Sequence, residues 1–177
     1  LADAMDAKIS VDSQFGVGTT FALELEIQMC DDYYSSITPE GEIDLSSLSG
    51  KRVLLCEAHP IHADQIKKML ESVGIKCERA ANGLEGMTVF NFMPVGYFDA
   101  ILMDIHMPVM DGIELTEKLR SMDRIDSRII PVIAITSNAY DEDRQTAIDA
   151  GMNDYIAKPV DREQLYKVLW RAVCLDR

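Results

Sequence analysis

Short apolar runs alternate with amphipathic segments along the chain from residue 51 to residue 177. The runs are typical of buried strands, and the segments between them repeat their apolar residues at helical spacing. The predicted strands span residues 52–56, 75–80, 98–103, 129–135 and 154–157. The predicted helices span residues 60–73, 82–90, 112–122, 141–150 and 162–173. The pattern is therefore a β-α unit repeated five times.

Five β-α units with continuous apolar strands predict a parallel sheet that is covered by helices on both faces. Because crossover connections are right-handed, few topologies remain. We expect an α/β fold of the flavodoxin-like, doubly wound (βα)5 type with strand order 2-1-3-4-5. In such a sheet, ligands bind beyond the carboxyl ends of the strands.

The first 50 residues follow a different pattern. Residues 1–7 are predicted to end a helix, and residues 8–13 and 20–27 alternate like the two strands of a hairpin. Gly16 and Gly18 lie in the connection, where a hairpin turn needs positive φ. Residues 30–50 are rich in Asp, Ser and Thr and are predicted to be a linker. Residues 1–50 carry ten acidic residues and one basic residue, a lysine. Residues 51–177 carry twenty acidic residues and sixteen lysines and arginines. This change in charge balance also favours a boundary near residue 50.

The net charge of −13 argues against nucleic acid or an anionic membrane surface as a direct partner. No apolar run approaches the length of a membrane span, and no signal peptide is visible. None of the four cysteines lies in a CxxC pair, so reduced thiols in a cytoplasmic protein are expected. The chain begins with Leu1 inside a predicted helix, and we expect it to be part of a longer polypeptide.

Four polar residues follow four of the predicted strands: Glu57, Asp104, Thr136 and Lys158. The carboxyl ends of parallel strands meet at one edge of the sheet, so these side chains are predicted to share one crevice. Two carboxylates, a hydroxyl and an ammonium suit phosphoryl transfer to Asp104. Mg2+ would be held by oxygen ligands, and Lys158 and Thr136 would contact phosphoryl oxygens.

Three sequence segments carry a resemblance to the receiver domain of two-component response regulators. They are Asp104-x-x-Met107-Pro108-x-Met110-Asp111-Gly112, Ala134-Ile-Thr136-Ser-Asn-Ala139 and Gly151-Met-Asn-Asp-Tyr155-Ile-Ala-Lys158-Pro159. The resemblance covers residues 51–177. It implies that Asp104 takes a phosphoryl group from phosphohistidine, that Thr136 is the switch hydroxyl and that Tyr155 swings inward with it. It also implies that the backbone carbonyl of His106 joins Glu57 and Asp104 as a metal ligand.

One residue departs from this family pattern. Receivers usually have two adjacent acids after the first strand, and the second of them contacts the metal. Here the two residues are Glu57 and Ala58. We therefore expect phosphorylation that still depends on Mg2+ but with weakened metal binding.

Residues 1–29 resemble the C-terminal end of the ATP-binding domain of histidine kinases, through Lys8-Ile-Ser-Val-Asp-Ser13 and Gly16-Val-Gly18-Thr19-Thr20-Phe21. The other nucleotide-binding boxes of that domain are absent. Gly16 and Gly18 are thus a nucleotide-binding remnant, and neither ATP binding nor kinase activity is expected from this chain. The predicted order is kinase remnant (1–29), linker (30–50) and receiver (51–177), as in a hybrid histidine kinase. The resemblance to sensor kinases, which are commonly membrane-anchored, leaves a membrane anchor in the parent protein open.

The predicted function is a phosphoacceptor that takes its phosphoryl group from a histidine kinase and passes it to a histidine phosphotransfer protein. The partner surface is either the first helix or the face around the last two strands and the last helix. A degenerate receiver that docks without being phosphorylated is the alternative favoured by Ala58. An aspartyl phosphatase is less favoured, because it needs an acid where this chain has His106.

Overall fold

The computed structural model describes residues 8–14, 16, 18–24, 43–137 and 141–175. The chain divides into two compact units, Leu1–Glu42 and Ile43–Arg177. The predicted helix end at residues 1–7 and most of the predicted linker lie outside the described residues.

The first unit contains the predicted hairpin. Strand β1 (Lys8–Gln14) pairs antiparallel with β2 (Gly18–Glu24), and the register runs from Lys8 opposite Glu24 to Gln14 opposite Gly18. Gly16 has a φ of 76°, in the region that favours glycine. The turn thus explains this glycine without a phosphate ligand.

The second unit contains five further strands, six α-helices and a 3-10 helix in the part that the structure describes. The strands are β3 (Arg52–Cys56), β4 (Lys76–Ala80), β5 (Ala100–Asp104), β6 (Val132–Thr136) and β7 (Asp154–Ala157). The helices are α1 (Pro60–Ser72), α2 (Gly83–Phe92), α3 (Gly112–Ser121), α4 (Ile125–Ile129), α5 (Asp141–Asp149) and α6 (Arg162–Trp170). A π-helical turn, Arg171–Leu175, extends α6.

The five strands form one parallel sheet in the order β4-β3-β5-β6-β7. Numbered within this unit, the order is 2-1-3-4-5, so the predicted flavodoxin-like topology is confirmed. The central strand β5 and its neighbour β6 are buried at all five positions. The sheet order changes direction between β3 and β5, which opens a crevice at their carboxyl ends.

Apolar side chains cover both faces of the sheet, as continuous apolar strands require. One cluster joins Val53 and Leu55 of β3 to α1 and α6. The other joins Leu54 and Cys56 of the same strand to α2 and α3. Successive side chains of β3 therefore point into the two clusters in turn, and close packing on both faces of the sheet holds the strand in place.

The predicted linker differs from the structure at its C-terminal end. Leu45–Leu48 forms a 3-10 helix capped by the side chain of Asp44, which accepts a hydrogen bond from the Ser46 N–H at 3.0 Å. Leu48 is 0% exposed and belongs to the cluster with α1 and α6. Residues 43–50 thus pack into the second unit, because one leucine of a polar segment fills its core.

The predicted fourth strand also begins too early. Ile129 ends helix α4 and is exposed, and β6 starts only after Pro131. The sequence does not predict α4, since the helix has only five residues and the face that carries Ile125 and Ile129 is exposed to solvent and not buried in a core.

The described helices are short. The longest of them, α1, has 13 residues, and none in the described part of the chain is long and apolar enough to span a membrane. Three of the four cysteines are described, and Cys56, Cys77 and Cys174 are all free thiols.

Replacing Leu48 by alanine should lower the free energy of unfolding by about 2–5 kcal/mol, because it leaves a cavity in a closed core. Chemical denaturation of the whole chain measures this change. Leu45→Ala is the matched control, since Leu45 lies in the same helix but is 38% exposed. Equal effects of the two substitutions would contradict the packing described for residues 43–50.

Candidate functional site

The ammonium group of Lys158 lies between two acidic side chains at the carboxyl edge of the sheet. Its Nζ is 2.8 Å from Oε2 of Glu57 and 2.9 Å from Oδ2 of Asp104. Glu57 is 1% exposed and Asp104 is 5% exposed. The structure therefore brings three of the predicted site residues into direct contact.

Strand order explains why these three residues meet. Glu57 follows β3, Asp104 ends β5 and Lys158 follows β7. Asp104 is opposite Ile135 of β6, and the Lys158 N–H donates to the carbonyl of Thr136 at 2.7 Å. The lysine side chain then reaches across the end of β6 to both carboxylates.

Burial and the shared ammonium act in opposite directions on the acid–base properties of the site. Burial raises the pKa of Asp104, and the negative charge of Glu57 raises it further. The hydrogen bond from Lys158 lowers the pKa of Asp104 but does not outweigh them, so this pKa lies above the ordinary value. Burial also opposes ionisation of Glu57, but Lys158 and the His59 N–H outweigh it and lower its pKa. Burial opposes the charge of Lys158, but its two carboxylate partners raise its pKa. Lys158 is thus a stable cation at neutral pH.

The loop after β3 is fixed around Glu57. Its Oε1 accepts the backbone N–H of His59 at 2.8 Å, and Nδ1 of His62 lies 4.0 Å away. The rings of His59 and His62 stack with centroids 4.3 Å apart. Arg79 donates from Nη2 to the carbonyls of Glu57 and Ala58, both at 3.3 Å. The orientation of Glu57 is therefore set by groups from β4 and α1 as well as by Lys158.

The predicted switch residues lie on β6, which pairs with the strand of Asp104, and on β7, which pairs with β6. Thr136 ends β6, is buried and is opposite Ala157 of β7. Tyr155 of β7 is partly buried and packs against the cluster that contains Met103 and Met107. Thr136 is therefore one strand away from Asp104 in the sheet, and Tyr155 is two strands away.

The loop from Asp104 to α3 is closed by a glycine and a capping aspartate. A Cβ at Gly112 would collide with the carbonyl oxygen of Asp104, so only glycine fits. The Gly112 N–H donates to the carbonyl of Ile105 at 2.9 Å. Asp111 caps α3 by accepting the Glu114 N–H at 2.8 Å. This Asp-Gly pair starts α3 close to the backbone of Asp104.

Val109, in the middle of the same loop, has a strained backbone. Its φ is 71°, and the Met110 N–H donates to the Pro108 carbonyl at 2.8 Å, which closes a γ-turn. A β-branched residue at positive φ is an outlier that costs on the order of 1–3 kcal/mol. The Val109 side chain is 79% exposed, so it recovers little of this energy by packing.

Two carboxylates that could hold a metal ion lie together at the site, and one further predicted ligand is the backbone carbonyl of His106. The carboxylates of Glu57 and Asp104 and the backbone carbonyl of His106 are hard ligands of the kind that Mg2+ prefers. Ala58 stands where a further carboxylate is expected, and no trio of His, Cys, Asp or Glu among the described residues could hold a metal ion. The His106 N–H donates to Oδ1 of Asp104 at 3.2 Å. The residues present fit a Mg2+ site with fewer protein ligands and more water.

An apolar pocket of about 120 Å3 opens beside Lys158, between α1 and the segment after β7. The residues that line it are His62, Gln65, Ile66, Met69, Lys158, Pro159 and Val160. The pocket shares Lys158 with the carboxylate site, so a molecule that covers one is close to the other.

The family model for the response regulator receiver domain matches residues 53–169. The chain belongs to the receiver domain family of response regulators. It is 42% identical over 122 residues to two-component system protein A of Emericella nidulans and 34% identical over 131 residues to hybrid signal transduction histidine kinase L of Dictyostelium discoideum. These matches cover 68% and 73% of the chain but only 17% and 8% of the two relatives.

Solved receiver structures have the same fold. The receiver of the sensor histidine kinase PA1611 from Pseudomonas aeruginosa, which has a magnesium ion in its active site cleft, is 37% identical with a TM-score of 0.64, over 71% of this chain and 98% of that one. The Ssk1 receiver of Saccharomyces cerevisiae, crystallised with the histidine phosphotransfer protein Ypd1, is 25% identical with a TM-score of 0.63. That match covers 71% of this chain and 90% of the other. The expected resemblance to receivers of two-component proteins and hybrid kinases is thus confirmed.

Sequence reasoning did not single out His62 or Arg79 as neighbours of Glu57. Arg79 follows the alternating pattern of an edge strand, which gives no sign that its guanidinium turns to the loop carbonyls. The strain at Val109 was also not predicted, because a β-branched residue gives no sequence signal of positive φ.

Replacing Val109 by asparagine, which tolerates positive φ, should raise the free energy of unfolding by about 1 kcal/mol by relieving strain. Val95→Asn is the matched control, because Val95 is 61% exposed in another loop and has no positive φ. Chemical denaturation compares the two variants with the unsubstituted chain. A Val109→Asn variant that is less stable would contradict the strain.

Proposed function

We propose that Asp104 accepts a phosphoryl group from a phosphohistidine and then passes it to a histidine phosphotransfer protein or loses it by hydrolysis. The observation that carries this proposal is the contact of Lys158 with both Asp104 and Glu57 at the end of the central strand. A lone carboxylate at a strand end has many explanations, whereas a buried pair with a shared ammonium has few. On this proposal the chain is the cytoplasmic receiver of a hybrid histidine kinase.

In the transfer, an oxygen of Asp104 attacks the phosphorus atom and a new O–P bond forms. The P–N bond to the donor imidazole breaks, and its electron pair stays on the nitrogen. Lys158 neutralises charge on the phosphoryl oxygens, and the Thr136 hydroxyl donates to one of them. Such reactions depend mainly on positioning and charge stabilisation, which fixed side chains at three strand ends provide.

Glu57, Asp104 and the His106 carbonyl would hold Mg2+ in this site. When bound, the ion would supply charge neutralisation for the incoming phosphoryl group. Asp104 must exchange part of its contact with Lys158 for the ion and the phosphoryl group. Because Ala58 offers no ligand, we propose that the ion binds with lower affinity than it would with an acid there.

The partner is proposed to approach from the α1 side. The apolar pocket between α1 and the segment after β7 lies on that side and includes Lys158. Apolar pockets beside a reaction centre are where protein partners commonly insert an anchoring side chain. This observation favours α1 over the outer face of α6 as the first contact.

Ala58 supports a second candidate, a receiver that docks without being phosphorylated. The intact contact of Lys158 with Asp104 and Glu57 weighs against it, since docking does not need this buried charge cluster.

Incubation with acetyl phosphate and Mg2+ should add one phosphoryl group to the chain, detected as a gain in intact mass. Asp104→Asn should abolish the gain, because an amide is not a nucleophile here. A wild-type chain that gains no mass with acetyl phosphate or with a phosphohistidine donor would overturn the proposal in favour of docking alone.

Restoring an acid by Ala58→Asp should tighten Mg2+ binding about tenfold or more, since it returns a direct carboxylate ligand. Isothermal titration calorimetry of the unphosphorylated chain measures the affinity without reference to activity. Ala58→Asn has nearly the same shape without the charge and is the control. Equal affinities for the wild-type chain and Ala58→Asp would refute a weakened site.

A further inference from the structure

We propose that Val109 is a docking residue, whose apolar side chain contacts the protein that brings the phosphohistidine to Asp104. This inference rests on the proposed function and adds a residue that decides whether a protein donor is used. Val109 makes none of the contacts described above for the charged site of Glu57, Asp104 and Lys158.

The first observation is that Val109 is unfavourable in the isolated chain. Its backbone is strained in a γ-turn with φ of 71°, and its side chain has little to pack against. Glycine or asparagine would fit the same turn with less strain. Strained residues of this kind cluster at functional sites and ligand contacts, and this one leaves its side chain open to another molecule.

The second observation is that the turn is held from both sides. The Gly83 N–H donates to the Met110 carbonyl at 3.0 Å, and the buried side chains of Met107 and Met110 anchor the flanking residues. The loop therefore cannot relax by moving as a whole. Val109 is presented to solvent in a fixed position.

The third observation is the position of Val109 among other apolar side chains. Ile61 in the first turn of α1 and Leu84 in the first turn of α2 are also exposed. These residues follow β3 and β4, as Val109 follows β5, and the three strands are neighbours in the sheet. All three side chains are therefore at the edge where Asp104 lies.

An apolar rim beside an acceptor carboxylate suits one kind of occupant. A protein with an exposed phosphohistidine must bring that residue to Asp104, and its surrounding surface then covers the rim. An apolar partner surface would gain burial of Val109 and exclude water from the transferring group. A small phosphodonor reaches Asp104 without covering Val109.

The test compares two phosphoryl donors, a protein and a small molecule, that both carry the phosphoryl group on a nitrogen atom. The protein donor is yeast Ypd1, phosphorylated on its histidine, and the small donor is phosphoramidate. Phosphorylation of residues 1–177 with Mg2+ is followed by intact mass for the wild-type chain, Val109→Asn, Val109→Ile and Val95→Asn. Val95 precedes β5, so it lies at the opposite edge of the sheet from Asp104.

We expect Val109→Asn to lower the rate with phosphorylated Ypd1 by about tenfold, the effect of losing an important interface side chain. The rate with phosphoramidate should stay within about twofold. Val109→Ile, which keeps an apolar branched side chain, and Val95→Asn should resemble the wild-type chain with both donors.

An unchanged ratio of the two rates in Val109→Asn overturns the docking role, and so does an absence of transfer from Ypd1 to all four chains. An equal fall with both donors also overturns it, because Val109 would then act on the reaction itself. A wild-type chain that accepts nothing from either donor points to a failure of the proposed function instead.

Discussion

The contact of Lys158 with two buried carboxylates is the interaction on which the rest of the site depends. Without the ammonium, Glu57 and Asp104 would be like charges buried side by side, and one of them would be driven to bind a proton. With it, the three groups carry a single net negative charge when both acids are ionised. A phosphoryl group adds further negative charge, which is why a cation beyond Lys158 is useful.

This charge balance gives Ala58 two opposing effects. A missing carboxylate weakens the attraction for a divalent cation, but it also lowers the repulsion that an incoming phosphoryl group meets. On the proposed function, the site would depend less on the cation for charge balance and would also bind the cation less tightly. Lys158 would then carry a larger part of the neutralisation than it would if residue 58 were an acid.

The fold was predictable because the apolar runs are continuous and the helices between them are one-sided. Parallel strands bring their carboxyl ends to one edge, so Glu57, Asp104, Thr136 and Lys158 could be placed in one crevice before any distance was known. Elements whose apolar residues face solvent were missed, as α4 shows with Ile125 and Ile129. Contacts from side chains with no distinctive spacing, such as Arg79, were missed because only the folded chain brings them to the site.

The burial of Leu48 bears on how a receiver is separated from the rest of its polypeptide. The family pattern begins at the first strand of the parallel sheet, and a cut placed there would remove the 3-10 helix together with a side chain from the core. An excised domain of that kind would keep Glu57, Asp104, Thr136 and Lys158 and still be less stable than the longer chain. If such a fragment lost its signalling activity, the cause would be the cavity left between α1 and α6 by the missing Leu48 side chain. The charged residues at the carboxyl edge of the sheet would be unchanged.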